Sequence, residues 1–130
     1  MREKPLEIKK SVKVLKGWGY ELHIHNDDGY CGKILHFKAK GEMSTHYHID
    51  KSETWYILKG NFYVSGIHPD TAEEYYFNAT EGDIIDIKRG TIHSLRCESE
   101  SGDIMEVSTP DDSEDNYRVY KGDSQNKKNK

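Results

Sequence analysis

Short runs of alternating apolar and polar residues repeat along this chain, and helical periodicity is almost absent. Val12-Lys13-Val14-Leu15 and Tyr20-Glu21-Leu22-His23-Ile24-His25 alternate with period 2, as half-buried strands do. Asn26-Asp27-Asp28-Gly29 is a turn, because Asn and Asp bond nearby backbone and Gly accepts positive φ. A strand is predicted from Ile34 to Lys40, ending at Gly41. Thr54 to Leu58 and Phe62 to Val64 follow as strands on either side of the turn Lys59-Gly60-Asn61. Gly66 to Thr71 reads as a hairpin tip, and Tyr75-Tyr76-Phe77 returns from it. Beyond a turn at Glu81-Gly82-Asp83, Ile84 to Ile87, Ile92 to Cys97 and Ile104 to Val107 complete the set. Many short strands broken by Gly and Asp point to an all-β sandwich or barrel.

The remaining segments are polar. Asp111-Asp112-Ser113-Glu114-Asp115 reads as an acidic loop. Residues 1–120 are expected to form one domain, and 121–130 a frayed or disordered polar tail. A length of 130 residues suits one core rather than two. The mean hydropathy of −0.93 would allow disorder, but nine Tyr, two Trp and three Phe argue for a folded core. A net charge of −4 without a basic stripe argues against a nucleic-acid partner. No apolar run is long enough to span a bilayer, and Met1-Arg2-Glu3-Lys4 lacks the apolar stretch of a signal peptide. Cys31 and Cys97, far apart and outside any CxxC spacing, suggest free thiols in a reducing, cytoplasmic setting, with a single disulfide as the alternative.

The chemistry concentrates in the middle. His46 and His48, two apart on a strand, face the same way. Ile49-Asp50-Lys51-Ser52 reads as a turn that swings Glu53 back toward them from an adjacent strand, and His93 follows downstream. Imidazoles and a carboxylate so placed can hold one divalent transition metal (Zn, Mn, Fe, Co or Ni) with open positions for a substrate. His23 and His25 have the same spacing but no carboxylate five residues on, and read as one face of a half-exposed strand. His36 and His68 read as a strand-face residue and a loop residue.

Glycines frame the four candidate ligands. Gly41, His46, His48, Glu53 and Gly60, followed by Gly82, Gly90 and His93, resemble the two motifs of the cupin superfamily. The resemblance implies a double-stranded β-helix, a small antiparallel barrel or jelly roll, whose metal-site core spans about residues 30–110. It also implies a metal held inside the barrel by His46, His48, Glu53 and His93.

The flanks narrow the resemblance. Lys16-Gly17-Trp18-Gly19-Tyr20-Glu21, His48, Lys51-Ser52-Glu53, Trp55, Glu106-Val107 and the segment Glu114 to Arg118 are similar to the C-terminal isomerase domain of type II mannose-6-phosphate isomerases. That family commonly has Gln at His46, Pro at Lys88 and Asn at Cys97. The implied activity is aldose–ketose isomerisation of a sugar or sugar phosphate through an enediol. Glu106 is the expected base, a carboxylate whose pKa a water-poor barrel would raise; the alternative is an exposed strand residue paired with a lysine. Lys33 and Arg118 are the expected phosphate-binding cations, with Lys88 as ordinary surface charge. Trp18 is a candidate sugar platform and Trp55 a core residue. An Fe(II) dioxygenase and a non-catalytic sugar-binding module are the competing readings, since one fold serves many chemistries. Pairing of the Val12–Val14 strand with another subunit would give a homodimer.

Overall fold

The computed structural model describes residues 5–126. Those residues form eleven strands and no helix. They are β1 (Val12–Lys16), β2 (Gly19–Asn26), β3 (Cys31–Lys38), β4 (Thr45–Tyr47), β5 (Glu53–Lys59), β6 (Asn61–Ile67), β7 (Glu74–Thr80), β8 (Ile84–Ile87), β9 (Ile92–Cys97), β10 (Ser101–Ser108) and β11 (Tyr117–Tyr120). One sheet has the order β1-β2-β3-β10-β5-β8 and the other β11-β4-β9-β6-β7, with every pairing antiparallel. This is the all-β architecture expected from the strand pattern and the two-sheet jelly roll implied by the cupin resemblance. No helix among the described residues is long and apolar enough to cross a membrane.

The inner faces meet in a core built on Trp55, Phe37, Phe62, Leu35, Ile57, Leu95 and Ile104, each almost fully buried. Burying one such side chain stabilises the fold by about 1.5–3 kcal/mol. Trp18 stacks on Phe37 at 4.2 Å between ring centroids, and Phe62 meets Phe37 edge-on at 5.4 Å.

Two connections hold the chain in odd geometry. Gly60, at φ 94°, turns β5 into β6, and a Cβ there would come 2.7 Å from the Ser101 carbonyl. Gly122 lies so close to β4's approach that a Cβ would meet the Ser44 nitrogen at 2.3 Å.

Several boundaries differ from expectation for identifiable reasons. Strand β3 begins at Cys31 rather than Ile34, because Lys33 is buried and disguises an inward position as a polar one. It ends at Lys38, where the Gly41 amide closes a turn onto the Lys38 carbonyl at 2.9 Å. Strand β11 was not anticipated: all four residues are exposed, so no alternation marks it. Residues 121–126, expected to fray, are tied down by Asp123 N–H to Glu42 O (2.9 Å), Glu42 N–H to Asp123 Oδ2 (3.0 Å) and Gly17 N–H to Ser124 Oγ (2.9 Å). Residues 127–130 lie outside the described residues.

Candidate metal centre

His46 and His93 face each other in register across β4 and β9 of the five-stranded sheet. His48 follows just past the end of β4. Glu53 opens β5 in the opposite sheet. The 49–52 connection therefore crosses the barrel rather than closing a hairpin, which corrects the expectation of adjacent strands. Strand β4 has no room for β5 beside it, because β11 and β9 occupy both of its edges. Glu53 thus meets the histidines face to face across the interior.

Each imidazole is oriented by a backbone carbonyl. The Nδ1–H of His46 donates to Ser44 O at 2.8 Å, that of His48 to Asp115 O at 2.6 Å, and that of His93 to Thr91 O at 2.8 Å. A neutral ring that donates through Nδ1 presents a lone pair at Nε2. The three rings supply ligand atoms within 4.8 Å of one another. Glu53 is anchored by Trp55 Nε1–H on Oε1 at 3.0 Å, leaving Oε2 at 3.4 Å from His48 Nε2 and 3.5 Å from His93 Nε2.

Two of these atoms, Glu53 Oε2 and His93 Nε2, are buried without a hydrogen-bond partner. Two acceptors facing each other cannot bond without a proton or cation between them. Three imidazoles, one carboxylate and a carbonyl behind each ring are a donor set that fits a divalent transition metal. Burial and the nearby His93 push His46 down to about 3. Burial likewise lowers His93 to about 4, so both stay unprotonated as ligands must. Burial and the Glu106 carboxylate push Glu53 up to about 8.

A second cluster adjoins the first. Lys51 is buried at the start of the crossing, with Nζ at 2.7 Å from Glu106 Oε2, 3.2 Å from Asp111 Oδ1 and 3.9 Å from Glu53 Oε1. Burial alone would lower its pKa, but the carboxylates of Glu106, Glu53 and Asp111 raise it well above the usual lysine value. Lys33 is also buried, at 2.8 Å from Asp111 Oδ2 and 3.6 Å from Glu21 Oε1. Asp111 is held down at about 2 against its burial by Lys51 and Lys33. Glu106 faces the interior, buried as a barrel-facing carboxylate was expected to be, and it is paired with a lysine there rather than on an exposed strand face.

Both clusters border one cavity of about 300 Å³. Trp18, Lys33, Glu106 and Arg118 all reach it. Lys88 is exposed elsewhere, and Trp55 packs edge-on against His93 at 5.5 Å. A bulge separates His23 from His25; His23 pairs with Glu21 at 2.7 Å on the cavity wall, and His25 with Asp27 at 2.8 Å.

Sequence reasoning missed Lys51, Asp111 and Asp115. Lys51 had one signal, its place two residues before Glu53. Asp115 had none. Its carboxylate accepts N–H bonds from Ile49 (2.8 Å), Asp50 (3.1 Å) and Lys51 (3.1 Å), which shapes the crossing between the two sheets. Burial opposes its charge, but those three donors hold its pKa below the ordinary carboxylate value.

Two antiparallel sheets closing around an inward-facing His, His, Glu, His set define a cupin. The chain belongs to the mannose-6-phosphate isomerase C-terminal family, whose model matches residues 3–116. No curated protein matches it. Among solved structures, the capsular polysaccharide assembling protein CapF from Staphylococcus aureus superposes with a TM-score of 0.77 at 14% identity, over 87% of this chain and 33% of that one. Oxalate decarboxylase from Bacillus subtilis superposes with a TM-score of 0.74 at 16% identity, over 84% of this chain and 30% of that one. This chain thus spans about a third of either protein, and at these identities the likeness concerns the fold.

Proposed function

We propose that this protein is a metal-dependent aldose–ketose isomerase acting on a sugar or sugar phosphate. The observation that carries the reading is a buried carboxylate, Glu106, beside the four-ligand set in a cavity of sugar size. Isomerisation moves the C2 proton of an aldose to C1 through an enediol. Glu106 would take that proton and return it one carbon away. Lys51, 2.7 Å from Glu106 Oε2, would steady the carboxylate. A divalent metal bound by His46, His48, Glu53 and His93 would supply Lewis-acid stabilisation of charge on the C1 and C2 oxygens. Trp18, with one face against Phe37, would present its other surface to the sugar.

The expected roles of the cations need dividing. The charge of Lys33 is met by Asp111 and Glu21, so we assign it to wall structure rather than phosphate binding. Arg118 and Lys16 border the cavity without a carboxylate partner among the described residues, and are the better phosphate candidates. Oxalate decarboxylase from Bacillus subtilis has Mn(II) centers, which makes Mn a first metal to try.

The test is proton exchange followed by NMR. Protein reloaded with Mn, Zn, Co or Ni is incubated in D₂O with mannose 6-phosphate, and separately with mannose. Deuterium entering C2 or C1, abolished by Glu106→Gln with metal content intact, is the expected result. Saturable sugar binding without exchange would replace the isomerase with a binding module. Oxygen consumption by the iron-loaded protein would replace it with an oxygenase.

A further inference from the structure

The two sheets differ on their outer faces. On the six-stranded sheet, Ile104 and Glu106 point inward, so Met105 and Val107 point out. Met105 is in register with Ile34 on β3 and Tyr56 on β5. Ile34 is in register with Leu22 on β2, and Tyr56 with Ile84 on β8. The result is one unbroken apolar row, Leu22–Ile34–Met105–Tyr56–Ile84, across five neighbouring strands. Met105, Tyr56 and Ile84 are 39%, 42% and 65% exposed, and Leu58 and Val107 widen the row. The outer face of the other sheet is different. Its row of Asn78, Tyr63 and Arg96 is polar, with Arg96 lying over the Tyr63 ring at 5.0 Å and Tyr76 stacked on it at 5.2 Å.

We propose that the outer face of the six-stranded sheet is the interface of a two-fold homodimer centred on Met105. The row is self-complementary. A two-fold axis along the strand direction at Met105 would set Leu22 against the second copy's Ile84, Ile34 against its Tyr56, and Met105 against itself, as an isologous interface requires. No charged side chain lies in the row itself; two residues along β10, Asp103 shares the face and is paired with His36 at 2.6 Å, while Lys13, in register beyond Leu22, falls outside the overlap and lies over the Tyr20 ring. The area is also sufficient. The five overlapping strands, about 4.8 Å apart and about seven residues long, make a face of roughly 24 by 23 Å. Two such faces cover about 1,100 Å² in flat projection, just above the ~1,000 Å² a specific interface needs. Two sheets can pack this way at about 10 Å separation. This replaces strand addition at β1 as the mode of association.

Sedimentation velocity across a concentration series of the full chain tests it. The expected species has twice the 15.1 kDa chain mass and dissociates on dilution. Met105→Lys sets two ammonium groups together on the axis and should weaken association about hundredfold or more. Ile84→Lys, at an exposed position on the edge strand, should weaken it with little risk to folding, and Asn78→Lys on the other sheet should leave it unchanged. Circular dichroism verifies that each variant is folded. A wild-type chain that stays monomeric at its highest soluble concentration would overturn the proposal, and would leave the face to a different partner. A dimer unchanged by Ile84→Lys, yet broken when Val14→Pro blocks the β1 edge, would overturn it in favour of strand addition.

Discussion

The cavity has two walls of opposite character. On the five-stranded sheet, each imidazole is held by a backbone carbonyl, and burial keeps His46 and His93 unprotonated. On the six-stranded sheet and its loops, Glu53, Glu106, Lys51, Lys33, Asp111 and Glu21 form a chain of buried or half-buried charges held by one another. Backbone oxygens set one wall and side-chain charges the other. The first can select a metal geometry with little dependence on pH. The second can move protons and responds to every charge removed from it.

Removing a ligand from the neutral wall should have the largest effect. His93→Ala is expected to lose the bound metal and, if the isomerase reading holds, roughly a thousandfold or more in turnover. Elemental analysis beside the exchange assay checks it; a variant that keeps both metal and turnover would exclude the site. On the charged wall, Lys51→Met leaves Glu53, Glu106 and Asp111 without their shared cation. Breaking a buried pair this way costs about 3–5 kcal/mol of stability. Chemical denaturation should show that loss, and an unchanged midpoint would mean the network is solvated.

Glu106→Gln tests the division of labour between the walls. Turnover should fall by about 10²–10⁴ while metal content stays constant. A parallel fall in metal would make Glu106 part of the neutral wall's business instead. A milder break is Asp115→Ala, which removes the carboxylate that shapes the 49–51 backbone but keeps the carbonyl that receives His48. Metal affinity should drop about 10–100-fold, as for other groups that orient ligands. Competition titration with a chelating dye would reveal it.

The smallest and most discriminating effect is on pH. His46 and His93, at about 3 and about 4, carry no proton to displace between pH 5 and 8. Glu53, raised to about 8, does. Metal binding must expel that proton below pH 8, so affinity should weaken by about tenfold per unit as pH falls from 8 toward 6. In Glu53→Gln the slope should flatten, even though the overall affinity is lower. A slope that survives unchanged would place the competing proton on another group.

Much of the fold was legible because one face of most strands is apolar. Ile84 to Ile87 and Ile92 to Cys97 were read to the residue, since turns at Gly82 and Gly90 bound them. Legibility failed where the inward face is polar or where neither face is buried. Lys33 hid the start of β3, and β11 shows no alternation at all.

The sequence by itself singled out the four candidate ligands, through a spacing of histidines, a glutamate and glycines that resembles the two cupin motifs. It also determined the strand-rich class, through period-2 alternation. Tertiary structure alone decided which sheet each ligand stands on, that Lys51 rather than open solvent meets Glu106, and that the segment after β11 returns to the cavity wall. Those outcomes depend on strands distant in sequence: Lys51 and Asp111 meet at 3.2 Å across sixty positions, and Gly17 and Ser124 across 107. No local pattern records such a pairing, because the partner that makes a buried charge tolerable is chosen by the closed barrel and not by the residue's neighbours in the chain.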